Sequence, residues 1–296
     1  MFEDRFKKVT ICAIIVVFNG YDCLYNTVES IINQVTKVVL VDNNSNDRTK
    51  KVINSILEKY KSIHVIWNQK NLGIAAAFNQ GIEFAKKSNY DFILTLDQDS
   101  ESSSNMIEKM LKTYRDNGGS YLLSICPKII QKYQKKYDNE DNKISIPKKR
   151  FVAVSSGQLM NIKLYDVVGK YNEELFIDSV DFDYCLRINL IGGKIVECPS
   201  AILFHQLGYS LYFNFFGRKQ EIILHNHIRY YYMVRNHIYI IKQYFYKFPL
   251  FCFKKNFFMV YEFIKALLFQ EKRFKIMKMV YRGFKDGIFH NFGDYN

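Results

Sequence analysis

The 296-residue chain has one tryptophan and four prolines, and its six cysteines, Cys12, Cys23, Cys126, Cys185, Cys198 and Cys252, form no C-x-x-C pair. Cysteines scattered in this way exclude a disulfide framework or a zinc finger and suit thiols kept reduced, so a cytoplasmic protein is expected. Long uncharged apolar runs are also missing. The first run, Thr10 to Phe18, is too short to span a bilayer, and Met1 to Thr10 mixes acidic and basic residues unlike a signal peptide. No glycine-rich, lysine-bearing phosphate loop follows that run. Phe18-Asn19-Gly20-Tyr21 stands there instead, which argues against a pyrophosphorylase. No helix-turn-helix, zinc or RNA-recognition signature is visible, so a nucleic-acid partner is not expected despite a net charge of +13.

What is present is unevenly distributed. At 48% hydrophobic residues the chain can fill a sizeable core. From Gln206 to Asn296 there are 15 Lys and Arg against 5 Asp and Glu, so +10 of the +13 lies in the last 91 residues. The same segment holds 26 of the 48 aromatic residues, and the chain therefore has two compositional parts with different partners to meet.

The first part alternates strand and helix patterns. Thr10 to Phe18, Val38 to Val41, Ile63 to Trp67 and Phe92 to Leu96 read as strands, and Leu24 to Asn33, Arg48 to Tyr60 and Ala75 to Lys86 as helices. This order predicts a parallel sheet with right-handed crossovers, whose ligands gather at the carboxyl ends of the strands. Asn19, Asp42, Asn71 and Asp97 fall at or just after such ends and are expected to converge on one crevice. Lys128 to Arg150, densely charged, reads as a solvated hairpin or loop, and Phe151 into Ser155-Ser156-Gly157 as a further strand.

Phe92 to Leu96 ends in Asp97-Gln98-Asp99-Ser100. Residues i and i+2 of a strand share a side, so Asp97 and Asp99 can face one ligand, and a divalent cation between them would hold a diphosphate. A solvated turn is the plainer alternative. Asn71 to Gly81 passes from a turn into a helix of small residues, suited either to a ligand's approach or to tight packing on the sheet. Asp42 could bind a ligand, cap the next helix, or do both. Asp178-Ser179-Val180-Asp181-Phe182-Asp183 sets three carboxylates at the start of a helix, where negative charge is favoured in any case. His205 follows an apolar run and is either a metal ligand or an ordinary satisfied histidine.

Taken in order, these motifs resemble the inverting family 2 glycosyltransferases of the GT-A fold, most closely the bacterial rhamnosyltransferases. The resemblance runs over residues 9 to 240 and rests on Val16 to Asn19, Val41 to Ser45, Asn71 to Gly81, Asp97-Gln98-Asp99, Ser156-Gly157, Asp178 to Arg187, His205 and Arg229 to Asn236. It implies an α/β fold, a mainly parallel sheet flanked by helices, with a GT-A domain over 1–208 (nucleotide-sugar half 9–100, acceptor half 101–208) and a C-terminal helical, basic-aromatic extension over 209–296. It also implies that Phe18, Asn19, Asp42, Asn71, Gly73, Asp97 and Gln98 bind the nucleotide sugar, and that Asp99, with His205, holds Mg²⁺ or Mn²⁺. Asp181 matches the family's general base, counted back from Arg187 because Val180 stands where many relatives carry Glu. Gly157, Asp178, Arg187 and Arg235 are candidates for orienting acceptor or phosphate.

The implied reaction moves L-rhamnose from dTDP-β-L-rhamnose to a glycan acceptor, lipid-linked, in surface polysaccharide synthesis. A UDP-hexose or UDP-galactofuranose is the alternative donor, and a non-catalytic sugar-nucleotide sensor the alternative of another class. Between Phe248 and Phe274, Lys254, Lys255, Lys265, Lys272 and Arg273 punctuate apolar residues, as in helices that lie in an anionic membrane interface. A peripheral position at the inner face of the cell membrane is expected, with a helical bundle or homodimer contact as the other use of the same surface.

Overall fold

The computed structural model describes residues 9–132, 146–205, 209–215 and 218–295. Residues 1–8 and 133–145, where parts of the leader and hairpin expectations fall, lie outside the described residues. The chain divides into two compact units, Met1–Tyr171 with Tyr184–Gln206, and Asn172–Asp183 with Leu207–Asn296.

In the first unit, β1 (Ile11–Val17) is buried at every position, as suits a strand covered on both faces of a parallel sheet. It lies between β2 (Lys37–Asp42) and β4 (Phe92–Asp97), parallel to both, and β3 (Ile63–Trp67) adds in parallel beyond β2. Three helices make the crossovers: α1 (Leu24–Ile31), α2 (Asp47–Lys59) and α3 (Gly73–Lys87). On α2, Thr49, Ile53 and Ile56 face inward, and Asn46 caps the helix by accepting from the Thr49 N–H, a contact worth about 1 kcal/mol. Small residues on α3 bring it close to the sheet, since a Cβ on Gly81 would lie 2.3 Å from Ile14 Cγ2.

Past β4 the chain forms β5 (Glu101–Ser102), α4 (Met106–Asp116), β6 (Leu123–Gln131), β7 (Lys148–Arg150), β8 (Leu159–Asn161), α5 (Ile162–Val168), α6 (Val180–Leu190) and β9 (Lys194–His205). The sheet order is β3-β2-β1-β4-β8-β6-β9-β5, with β7 on β9. β6 and β9 are parallel, while β8 runs antiparallel between β4 and β6. The expected mainly parallel sheet flanked by helices is therefore present, with antiparallel strands inserted in its second half.

Two local readings of this unit are corrected. Lys128 to Gln131 extends β6 beyond a bulge at Pro127/Lys128, and Lys148 to Arg150 pairs with β9, so neither end of the charged excursion is a loop. Phe151 to Gly157 is not a strand. Thr95 Oγ1 donates to the Ser155 carbonyl, Gly157 N–H donates to the Thr95 carbonyl, and Gly157 has φ +87°, a turn that takes up the bonds a ladder would use.

In the second unit, β10 (Tyr209–Phe215) and β11 (Arg218–Leu224) form an antiparallel hairpin, followed by α7 (His227–Tyr244), α8 (Pro249–Phe269) and α9 (Arg273–Phe289). The extension expected to be helical over 209–296 thus opens on a hairpin, and its first helix starts at His227. Ile222 and Ile223 belong to the ladder, as β-branched residues favour, and the Asn226 side chain caps α7 by accepting from the Ile228 N–H. α9 lies against α7 at backbone distance, since a Cβ on Gly283 would stand 2.4 Å from the Tyr231 carbonyl oxygen. Among the described residues, no helix is long and apolar enough to cross a membrane.

Candidate active site

Strand register fixes the site. Val17 pairs with Asp42, Val16 with Asp97 and Asp42 with Trp67, so β1 to β4 finish level along one edge of the sheet. The loops above that edge are tied to one another. Gln98 brackets Phe18 with its amide, Oε1 accepting from the Phe18 N–H at 2.8 Å and Nε2 donating to the Phe18 carbonyl at 3.0 Å. Gly20 makes room for that amide, because a Cβ there would sit 2.3 Å from Gln98 Oε1. Gln98 is thereby a strut between two strand ends, and the Phe18 ring stays 43% exposed beside it.

Asn19 adopts φ +57°, donates its N–H to Ser45 Oγ and accepts from the Asn46 N–H. Asp42 is fully buried and accepts from the Ser45 N–H, so it shapes the turn after β2. Asn71 Oδ1 accepts from the Gly73 N–H, Gly73 has φ +83°, and its carbonyl accepts from Asn43 Nδ2. These loops form a preorganised rim on which Phe18 and Tyr21 expose ring surface, with the Arg48 guanidinium 4.2 Å from the Tyr21 ring centroid.

At the end of β4, Asp97 and Asp99 meet His205 from the end of β9, with one ligand atom of each within 4.8 Å of the others. His205 Nδ1 lies 3.1 Å from Asp99 Oδ1, and Nε2 lies 3.8 Å from Asp97 Oδ2. Burial disfavours the charged imidazole, but the hydrogen bond to Asp99 and the charges of Asp97 and Asp99 outweigh it, leaving the pKa raised. Two carboxylates and an imidazole converging at a strand edge fit a hard or borderline divalent cation, which would take the place of that proton. A hydroxyl chain that sequence reading missed supports the cluster. Ser156 Oγ accepts from the Asp97 N–H and lies 2.7 Å from Ser100 Oγ, which is 2.9 Å from His205 Nδ1. Its signal was the two serines inside quoted motifs, Ser100 in Asp97-Gln98-Asp99-Ser100 and Ser156 in Ser156-Gly157. Gly157 itself packs on Pro127 and Leu203, where any Cβ would come within 3 Å.

Asp178, Asp181 and Asp183 have three different environments within the second unit. Asp178, at φ +64°, receives the Arg229 guanidinium at 3.2 Å. Asp183 is fully buried and accepts from the hydroxyls of Tyr239 at 3.2 Å and Tyr244 at 2.6 Å. Asp181 is half-buried in the first turn of α6 and accepts from the Phe182 N–H. Desolvation raises its pKa, the positive charge of Lys255 and the N–H bond oppose the rise, and Asp178 adds to it. Lys255, from α8, stands 3.5 Å from the Phe182 ring centroid, and burial pulls its own pKa down against the pull of Asp181, Asp178 and Glu262. Sequence reading recorded Lys255 only as part of a basic surface.

Two orienting candidates are spent on structure. Arg187 donates to the Val168 carbonyl and lies over the Tyr184 ring. Arg235 is fully buried, donating to the carbonyls of Gly293, Glu174 and Leu175 among the rings of Tyr231, Tyr232 and Phe292. A guanidinium so enclosed cannot meet acceptor or phosphate, and the expectation for Arg235 is replaced by a structural one. All six cysteines are free thiols, and burial pushes Cys12, Cys23 and Cys126 up to about 12.

Residues 12–167 match the family described as glycosyl transferase family 2. The chain belongs to that family and is a glycosyltransferase with a GT-A-like fold. It is 30% identical over 219 residues to the dTDP-rhamnosyl transferase RfbF of Shigella flexneri, covering 70% of this chain and 71% of that one. Its fold is similar to the mannosyltransferase PcManGT from Pyrobaculum calidifontis, solved with GDP-Man and Mn²⁺, at TM-score 0.60 and 10% identity over 95% of this chain and 87% of that one. It is also similar to S. aureus TarS 1-349, at TM-score 0.52 and 13% identity over 95% and 81% of the two chains.

Proposed function

We propose that the protein moves L-rhamnose from dTDP-β-L-rhamnose to a glycan acceptor carried on a lipid, with inversion, in surface polysaccharide synthesis at the inner face of the cell membrane. The observation that carries the reading is the convergence of Asp97, Asp99 and His205 at the carboxyl edge of the sheet in a family 2 chain. Similarity to a dTDP-rhamnosyl transferase supports the donor.

The exposed Phe18 ring offers a stacking face for the base, and the loops of Asn19, Asn71 and Gly73, with the turn that buried Asp42 shapes, would frame the ribose. Asp97, Asp99 and His205 would hold Mg²⁺ or Mn²⁺, which would neutralise the diphosphate leaving group. Asp181 takes the proton of the acceptor hydroxyl as that oxygen bonds to the anomeric carbon. The bond from that carbon to the diphosphate oxygen breaks on the opposite face, so the configuration inverts. Proton removal by a placed carboxylate contributes ~100- to 10,000-fold.

The test is the thermal stability of the purified protein against dTDP, UDP and GDP sugars, each with and without Mn²⁺, together with turnover of Asp181→Asn. Metal-dependent stabilisation by dTDP-rhamnose alone is expected, by ~2.7 kcal/mol at 100 times its Kd. Asp181→Asn is expected to keep that stabilisation and lose turnover by the factor given above. A preference for a UDP sugar would replace the donor and keep the mechanism, whereas unchanged turnover in Asp181→Asn would remove the base.

A further inference from the structure

Within the second unit, one face of α8 is turned to the segment that carries Asp181. Phe251, Lys255, Phe258 and Glu262 recur at helical spacing and so share that face. The rings of Phe251 and Phe182 have centroids 6.0 Å apart. The Lys255 ammonium stands 3.5 Å from the Phe182 centroid and 5.8 Å from that of Phe258. Asp181 precedes Phe182, accepts its N–H, and is the strongest of the charges acting on Lys255. The carboxylate assigned as base is therefore bordered by aromatic rings that meet at one lysine.

Those rings differ in what they have left to offer. Phe182 and Phe251 are half-buried, and Phe182 already has the ammonium against it. Phe258 is 50% exposed and pairs with no other ring among the described residues. Exposure alone does not single it out, since Phe257 is 77% exposed. Direction does, because one residue is about 100° of helical rotation and carries Phe257 away from the face that Phe258 shares with Lys255. Asp178, which also acts on Lys255, receives the half-exposed Arg229 guanidinium at 3.2 Å. An open aromatic face beside carboxylates and a cation suits a sugar ring. The C–H groups on one side of a pyranose are apolar and weakly positive and lie against the negative face of an arene, while charged groups at the edge take its hydroxyls. A hydrocarbon chain in the same place would strip water from Asp178 and Asp181 and return no hydrogen bond.

We infer that Phe258 is the stacking platform for the acceptor, which therefore presents a pyranose ring beside Asp181 and not an acyclic polyol. The inference rests on the reading of Asp181 as the base, and its test requires neither donor nor turnover.

The probes are the methyl pyranosides of glucose, galactose and rhamnose, with ribitol as the acyclic control, followed by saturation-transfer NMR on the full chain. Transfer to the ring C–H protons of at least one pyranoside is expected, with none to ribitol. Phe258→Ala, checked by its circular dichroism melting curve, is expected to lower that transfer about fivefold, as loss of one aromatic contact implies. Phe258→Tyr keeps the ring and is expected to keep the signal, and Phe257→Ala is expected to leave it unchanged. No transfer to any pyranoside, equal transfer to ribitol, or an unchanged signal in Phe258→Ala would overturn the proposal. Turnover of Asp181→Asn reports separately. Its loss without any pyranoside signal would keep the base and remove the platform, whereas unchanged turnover with a Phe258-dependent signal would remove the base and keep a sugar-binding face.

Discussion

Asp181 and Lys255 show how one side chain's surroundings set the chemistry of another. Burial raises the Asp181 pKa, and a carboxyl must be ionised to take a proton. The Lys255 cation favours the ionised form, at the cost of its own desolvation, which lowers the lysine pKa. Asp178 pushes the other way, but the Arg229 guanidinium beside it offsets its charge. Removing the cation in Lys255→Met therefore raises the Asp181 pKa further. In the proposed role the base acts when ionised, so the acid limb of the kcat/KM profile is expected to move to higher pH, with the plateau rate at high pH largely kept. A profile identical to the parent's would exclude any influence of Lys255 on the base. The proposal of Asp181 came from its distance to Arg187, whereas Lys255 gave no such signal, since a lysine in an apolar stretch looks like surface charge until the helix is placed. Arg235 erred the other way, because its value lies in backbone carbonyls that carry no side-chain signature.

At the scale of elements, the sequence was clearest where burial is two-sided. β1 to β4 and α1 to α3 appear within a residue or two of their expected ends, because continuous apolar runs and amphipathic helices leave few alternatives. Phe151 to Gly157 and Ile222 to Leu224 were misjudged because their conformations answer to distant partners, Thr95 in one case and β10 in the other. The Asn71 to Gly81 segment admitted both a packing and a ligand-facing reading, and α3 shows the packing one, with Gly81 against the sheet. Its packing half is testable. A methyl at Gly81 gains about 1 kcal/mol of helix propensity but collides with the stiff β-branch of fully buried Ile14. Overpacking of a rigid core costs ~1–3 kcal/mol, so Gly81→Ala is expected to lower the denaturation midpoint on balance. A Gly81→Ala variant at least as stable as the parent would show that α3 can lift off the strand without penalty.

At the scale of the whole molecule, composition and contacts divide the chain differently. The basic-aromatic bias begins after Gln206, yet Asn172–Asp183 groups with the C-terminal unit. The cause is the hydrogen bonds that Arg235 and Asn236 make to the carbonyls of Glu174, Leu175, Ile177 and Asp178. Those bonds tie the segment bearing Asp178 and Asp181 to α7, in the same unit as the exposed lysines and phenylalanines of α8 and α9. Charge of this density acts on anionic lipid over about a Debye length, ~10 Å at 0.1 M salt, so attachment should weaken steeply with ionic strength. At ~1 kcal/mol per basic residue, reversing Lys275, Lys278 and Lys285 to Glu removes at least ~3 kcal/mol, which corresponds to about a 100-fold weaker partition. The parent is expected to co-sediment with phosphatidylglycerol vesicles at low salt, and the triple variant to remain in the supernatant. Phe257→Ser with Phe274→Ser is expected to weaken the residual binding that persists at high salt, because that part rests on apolar burial. Equal sedimentation with neutral phosphatidylcholine vesicles, unaffected by salt or by the lysine reversals, would mean that the charged face meets something other than lipid.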